Sequence, residues 1–344
     1  MKPALTLKRL AKTKTFLIFV VFLGYLMTSM LWNAGVMENT KTFSSVALDV
    51  VVLLFVCIAF LQVRKDLDLT DIAMSLTILG AGVSASILLI AELTDFNLAR
   101  AGAWNVWSVA AIAYGFSAVV ATYYAVTFRR TYISLAYGSI ALVSLAAVML
   151  IHSQVVFFGS LLALVSLSFA ALWESRFRRE SIVWAVGCML LMILVLVVFN
   201  ELMEEKRSAI WASTVDAMFH EGLMFGAGYP SVSTPVVSCA EVASQIPING
   251  SCVFQHPHNL FVSTIYQLGL FGFLILFSFY LLALSVLFEQ SSKNRMLLGG
   301  CLSYGGAIFM FDGQLLVANM NYVWLLFWLP MFLIVREEFL NTEI

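Results

Sequence analysis

Long apolar stretches broken by short polar connections run through almost the whole chain. A helix needs about 20 mostly apolar residues to cross the hydrocarbon core of a bilayer. Ten stretches of that kind recur, at roughly 15–32, 43–63, 71–91, 103–127, 131–151, 154–173, 182–200, 259–288, 296–316 and 320–335. Each predicts a transmembrane helix. The period-two alternation of an outer-membrane barrel is absent. The expected fold is all-α: one integral membrane domain over residues 1–344, a polytopic bundle of about ten spans. Residues 201–257 interrupt the pattern and predict its one large extramembrane loop.

Composition agrees with this reading. Of the 344 residues, 61% are hydrophobic and 11% charged, against about 25% charged in soluble domains. Too few charges exist to coat a water-facing surface, and a net charge of −1 gives no field for a nucleic acid. These figures exclude a soluble enzyme, a disordered tail and a nucleic-acid binder. The placement of charge then sets the topology, because short cytoplasmic loops are enriched in Lys and Arg. Lys2, Lys8, Arg9, Lys12 and Lys14 precede the first span. Every second connection is basic thereafter: Arg64/Lys65, Arg129/Arg130, Arg176/Arg178/Arg179, Lys293/Arg295 and Arg336. That assigns 15 of the 19 basic residues to one face and leaves Lys41, Arg100, Lys206 and Arg207 on the other. Both termini are expected in the cytoplasm. The first span is expected to be retained, since no small-x-small cleavage site follows its long apolar run.

The 201–257 loop then falls outside the cytoplasm. It holds four of the six prolines (Pro230, Pro235, Pro247 and Pro257). Its first part, from Glu201 to His220, predicts an amphipathic helix at the membrane interface. Met203, Arg207, Trp211, Val215 and Met218/Phe219 recur at helical spacing up to Gly222. Trp211 reads as an interfacial anchor or a functional residue, and Arg207 as a solvated or lipid-paired charge or a functional one. Gly226-Ala227-Gly228 permits tight turns and amides open to an anion, or marks a turn alone. Cys239 and Cys252 lie on the oxidising side and predict a disulfide. A rival grouping of Cys252, His256 and His258 as metal ligands has no standard zinc spacing and no evident fourth ligand.

The loop ends Gln255-His256-Pro257-His258-Asn259-Leu260-Phe261 and enters the eighth stretch. Pro257 keeps His256 extended, and residues i and i+2 of an extended segment point the same way. Both imidazoles could then face one site. An interfacial imidazole can accept a proton from a hydroxyl; the alternative is a hydrogen-bonded structural histidine.

Three ordered stretches give the chain a resemblance. Arg207-Ser-Ala-Ile-Trp211, Gly226-Ala-Gly228-Tyr229, and His258-Asn259-Leu260 followed by Leu268-Gly269-Leu270-Phe271-Gly272 resemble the motifs of the O-antigen ligase and O-antigen polymerase family. These are bacterial inner-membrane glycosyltransferases with periplasmic active sites. The resemblance implies a donor glycan on undecaprenyl diphosphate. It implies transfer with inversion, without metal or cofactor, to an acceptor glycan (polymerase, the favoured expectation) or to lipid A-core (ligase). It also implies the phospholipid bilayer as surroundings, and a chain-length regulator or flippase as partner. Carried onto this sequence, it makes His258 the base with His256 second. Arg207 becomes the diphosphate-binding cation, with Trp211, Gly226, Gly228 and Asn259 around the substrate.

Two features depart from the family. Where it usually carries an earlier Arg after Ser, this chain has Ser153-Gln154, so Arg100 or Lys206 would supply the second cation. The loop is also acidic: Glu201, Glu204, Glu205, Asp216, Glu221 and Glu241 face only Lys206 and Arg207. Asp312, in the ninth stretch, is a further polar group towards the outer face, for substrate or for a helix–helix hydrogen bond. Two other classes compete. A transporter would show midplane charges and internal repeats, and neither is evident. A non-catalytic membrane scaffold would leave the His-Asn segment unexplained.

Overall fold

The computed structural model describes residues 9–33, 40–63, 68–93, 104–128, 130–151, 153–174, 205–230, 236–238, 251–253, 258–289, 294–311, 316–317 and 322–342. The long elements are α1 (Lys14–Ser29, extended by a 3-10 turn Met30–Trp32), α2 (Thr40–Gln62), α3 (Leu69–Leu93), α4 (Trp104–Thr127), α5 (Thr131–Leu150) and α6 (Gln154–Glu174). They continue as α7 (Glu205–Glu221), α8 (Leu260–Glu289), α9 (Arg295–Phe311), a π turn (Trp324–Trp328) and α10 (Leu329–Asn341). Between α7 and α8, β1 (Val236–Ser238) pairs antiparallel with β2 (Ser251–Val253), Val237 opposite Cys252. Among the described residues the architecture is helical apart from this ribbon.

Six of the helices are long and apolar enough to cross a membrane: Lys14–Trp32, Thr42–Gln62, Leu69–Ile90, Val109–Thr127, Thr131–Leu150 and Leu260–Leu287. Their surfaces show why. Phe55, Leu142 and Val126 are more than two-thirds exposed, while Phe19, Leu53 and Phe116 are fully buried. Apolar side chains both inside and outside suit a lipid solvent, where the backbone must satisfy itself within each helix. Among the described residues, α6 runs 21 residues from Gln154 to Glu174, α9 runs 17 residues to Phe311, and the last helical stretch contains the π turn. Pro330 has no N–H to offer the Leu326 carbonyl, and the chain widens into the π turn just before it. The expected span at 182–200 lies outside the described residues.

In the bundle, α1 packs on α8, α9 on α6 and α4, and α5 on α4 and α3. Phe19 meets Phe279 of α8, Trp328 of the π turn and Phe332 of α10 at 5.5–5.7 Å between ring centroids, so three elements share one aromatic core. At one end, the Glu338 carboxylate accepts the Lys14 and Thr15 amides (2.9 and 3.0 Å) and the Thr15 hydroxyl. It caps α1 from α10. The start of the first helix and the end of the last therefore share a face of the bundle.

Candidate functional site

Helix α7 packs against α8 and touches β1. Its residues divide into three sectors by helical register. Ile210, Thr214 and Met218 are buried, and Thr214 turns its hydroxyl back to the Ile210 carbonyl (2.7 Å). Next round the helix come half-buried Trp211 and exposed Val215 and Phe219, the last 67% exposed. Asp216 and His220, 3.8 Å apart and open to solvent, complete the circle. Of the apolar positions that recur along this helix, Met218 faces the protein and Trp211, Val215 and Phe219 lie beside it, because α7 packs on α8 with one face and leaves an apolar flank. That flank fits the interfacial placement expected for the helix. Arg207 lies one turn before Ile210 and Trp211 in α7.

After α7 the chain dives into α8. Helix α8 is broken at Gly269, whose φ of 67° and ψ of −179° are non-helical. A break at this depth would orphan two carbonyls and two amides, a heavy penalty in a bilayer. The 222–228 loop supplies every missing partner. Ala227 and Gly228 donate their amides to the Tyr266 and Gln267 carbonyls (both 2.9 Å). Leu270 and Phe271 donate theirs to the Leu223 and Met224 carbonyls (2.9 and 3.2 Å). Tyr25 of α1 donates its hydroxyl to the Leu268 carbonyl (2.7 Å). The interlock requires glycine on both sides. A Cβ on Gly226 would lie 2.5 Å from the Gly269 nitrogen, and one on Gly269 would strike the Met224 carbonyl. A Cβ on Gly228 would lie 2.8 Å from the Ser29 carbonyl oxygen.

This corrects the expectation for Gly226 and Gly228. Their amides are not open to an anion: Gly226 donates to the Gly222 carbonyl and Gly228 to Gln267. The motif docks the loop. Tyr229 follows, buried among helices. Val317 donates its amide to the Tyr229 oxygen (3.0 Å), and the phenol donates to the Val317 carbonyl. Burial pushes the phenol's pKa well up, with a smaller push from nearby Asp49.

The His-Asn segment heads α8. Asn259 is its N-cap: Oδ1 accepts the Val262 amide and Nδ2 donates to the Met310 carbonyl at the end of α9, both 3.0 Å. The residue expected to touch substrate is therefore 8% exposed and bonded at both ends of its amide. His258, just outside the cap, is half-buried with φ of 50°. That left-handed conformation is uncommon outside Gly, although His, Asn and Asp adopt it more often than other side chains. An apolar cavity of about 230 Å³ opens two residues further on. It starts at Leu260 and Met310 and runs between α8 and α9 towards Phe277 and Tyr280.

The structure thus brings Trp211, Gly226, Gly228, His258 and Asn259 onto α7, its loop and the head of α8. Lys206 and Arg207 lie in α7, Gln154 opens α6 and Cys252 lies in β2, with their side chains outside the described residues. His256, Arg100, Asp312 and Cys239 also lie outside them. Sequence reasoning missed Tyr25, Ser29, Asn33 and the break at Gly269. The recurrence of glycine at 226, 228, 269 and 272 was the available signal.

No family model matches the chain, and no solved structure is similar to it. It is similar to an O-antigen ligase of Pseudomonas aeruginosa PAO1: 24% identical over 336 residues, 95% of this chain and 79% of the relative. The similarity is to a protein of the kind whose motifs the sequence resembles. The similarity extends over nearly the full length, so it includes the spans and the loop together.

Proposed function

We propose that the protein is a multi-pass inner-membrane glycosyltransferase that moves a glycan from undecaprenyl diphosphate to an acceptor hydroxyl at the periplasmic face. The observation that carries this reading is His258, held left-handed outside the Asn259 cap and two residues from the mouth of an apolar cavity. A base at an interface and a hydrocarbon-lined slot beside it suit a substrate with a sugar head and a polyprenyl tail. In the proposed step His258 takes the proton of the acceptor hydroxyl. The freed oxygen attacks the anomeric carbon from the side opposite the diphosphate, and the carbon–oxygen bond to the diphosphate breaks with inversion. Arg207, in the first turn of α7, meets the charge leaving on the lipid diphosphate. Both termini lie in the cytoplasm, with ten spans, the basic loops inside and the 201–257 loop outside. The shared face of α1 and α10 supports an even number of crossings. In the oxidising periplasm Cys239 and Cys252 form a disulfide that pins the loop.

Sequence alone favoured a polymerase. The relative's name turns the reading towards ligase, with lipid A-core as acceptor. Purified protein given undecaprenyl-diphosphate glycan and lipid A-core should release undecaprenyl diphosphate, and His258→Ala or Arg207→Ala should abolish release. Full activity in both variants would refute these roles. In a deletion strain, loss of all capping on a lipopolysaccharide gel means ligase; a single capped unit without a ladder means polymerase.

A further inference from the structure

The interlock at Gly269 has a mechanical consequence for the proposed site. Helix α7 runs unbroken to Glu221, and Gly222 then turns the chain with φ of 102° into the docked loop. Arg207 is therefore the tip of a stiff arm of about 22 Å, at 1.5 Å per residue, ending at the joint. The first half of α8, capped by Asn259, is a second arm. It places His258 about 16 Å from the same joint. The two arms meet where Ala227 and Gly228 bond to Tyr266 and Gln267, and where Leu270 and Phe271 bond to Leu223 and Met224. The end of α1 clamps the joint from a third side: Asn33 Nδ2 donates to the Gly228 carbonyl (3.0 Å), and Tyr25 holds Leu268.

We propose that Gly226, Gly228 and Gly269 are positioning residues of the transfer reaction: their joint fixes the separation between Arg207 on α7 and His258 at the head of α8. The proposal rests on the roles given to those two residues above. A turn of about 10° at the joint would carry the tip of α7 about 4 Å, by the lengths just given. A displacement of about 1 Å can cost about 100-fold in rate when reacting groups must be aligned. Three backbones meet too closely at the joint for a Cβ, so glycine is required there by space as well as by φ. Gly226, Gly228 and Gly269 have φ of 69°, 85° and 67°.

The test uses the full chain in nanodiscs, with spin labels carried by non-natural amino acids at Ala212 of α7 and Val262 of α8. Gly269→Ala should shift or broaden the inter-label distance by about 3 Å or more, with Gly138→Ala, which has open space around it, unchanged. In the same samples kcat should fall at least about tenfold while KM for undecaprenyl-diphosphate glycan stays within about threefold, since the donor's cation rides on α7 and the base on α8. Unmoved labels in Gly269→Ala, or moved labels with unchanged kcat, would overturn the proposal. Should Gly269→Ala fail to fold, Tyr25→Phe removes one clamp only. It should broaden the distance and lower kcat about threefold, and no change in either would overturn the proposal. A wild-type protein that transfers nothing refutes the functional reading and the catalytic role of the joint together. A transferring wild type with unmoved labels in the variant refutes the joint alone.

Discussion

Asn259 offers the sharpest energetic test, because its two bonds do separable work. Its Oδ1 caps α8 through the Val262 amide, and its Nδ2 satisfies the Met310 carbonyl of α9. Losing an N-cap costs about 1 kcal/mol. Losing the part-buried bond to the Met310 carbonyl costs about 0.5–1.5 kcal/mol. Asn259→Ala loses both and should destabilise by about 1.5–2.5 kcal/mol. Asn259→Ser keeps a capping oxygen and loses only the donor to Met310, so it should cost about 1 kcal/mol less than Ala. Asn259→Asp also keeps the cap but sets an anionic oxygen against the Met310 carbonyl, and should be no better than Ser. Equilibrium unfolding in mixed detergent micelles gives the three values against wild type. KM for the lipid-linked donor in the Ser variant gives a separate readout. A cap acts through geometry, so that KM should hold within about threefold, whereas a residue that binds substrate would raise it far more. Equal stabilities for Ser and Ala would refute the cap, and values within about 0.5 kcal/mol of wild type for all three would refute both bonds.

Three further outcomes follow from packing. Gly115→Ala places a Cβ against the Tyr304 hydroxyl and 2.7 Å from Ser160 Oγ. It should destabilise by about 1–3 kcal/mol, while Gly138→Ala, with open space, should be neutral or stabilising by up to about 1 kcal/mol, both by the same unfolding assay. The Tyr229 phenol titrates higher folded than its ordinary 10.0. It therefore contributes stability that is full below pH 10 and lost as pH rises through that value towards the folded pKa. Tyr229→Phe should cost stability at pH 7 through the lost Val317 bonds, and the gap to wild type should shrink in alkali; a constant gap would refute the burial argument. On α7, an environment-sensitive probe at Phe219 should be quenched by brominated lipid and one at Asp216 by aqueous iodide, and the reverse would refute the sector assignment.

Most of the helices were legible because a membrane span carries its signal locally, in about 20 successive apolar residues. The charge alternation added a topology for the same reason: each connection is read by itself. Errors arose where structure depends on a distant partner. On α7 the helix was legible but its packed face was not, because hydrophobic periodicity marks apolar positions without saying whether protein or lipid covers them. Trp211, Val215 and Phe219 are as apolar as Ile210 and Met218, and only the placement of α8 distinguishes the two faces. The last helix is a middle case: its apolar run was legible, and the π turn just before Pro330 was not.

The glycines show the limit most clearly. Read alone, Gly226-Ala-Gly228 suggests a nest for an anion, and Leu268-Gly269-Leu270-Phe271-Gly272 a continuous helix with small residues. Neither reading survives once the two segments meet. The helix can break only because the loop returns its hydrogen bonds, and the loop can enter only because no Cβ stands at Gly226 or Gly269. Some 40 residues of chain separate the partners, so no window of helical or turn length contains both. Burial also decides between the chemical and the structural use of the motif. An amide bonded to a carbonyl at 2.9 Å in a low-dielectric interior is not available to a phosphate without breaking that bond, which would leave a helix carbonyl orphaned in a membrane. The proposed diphosphate charge must then be met by side chains, which returns the chemistry to Arg207 at the far end of the arm the glycines hold.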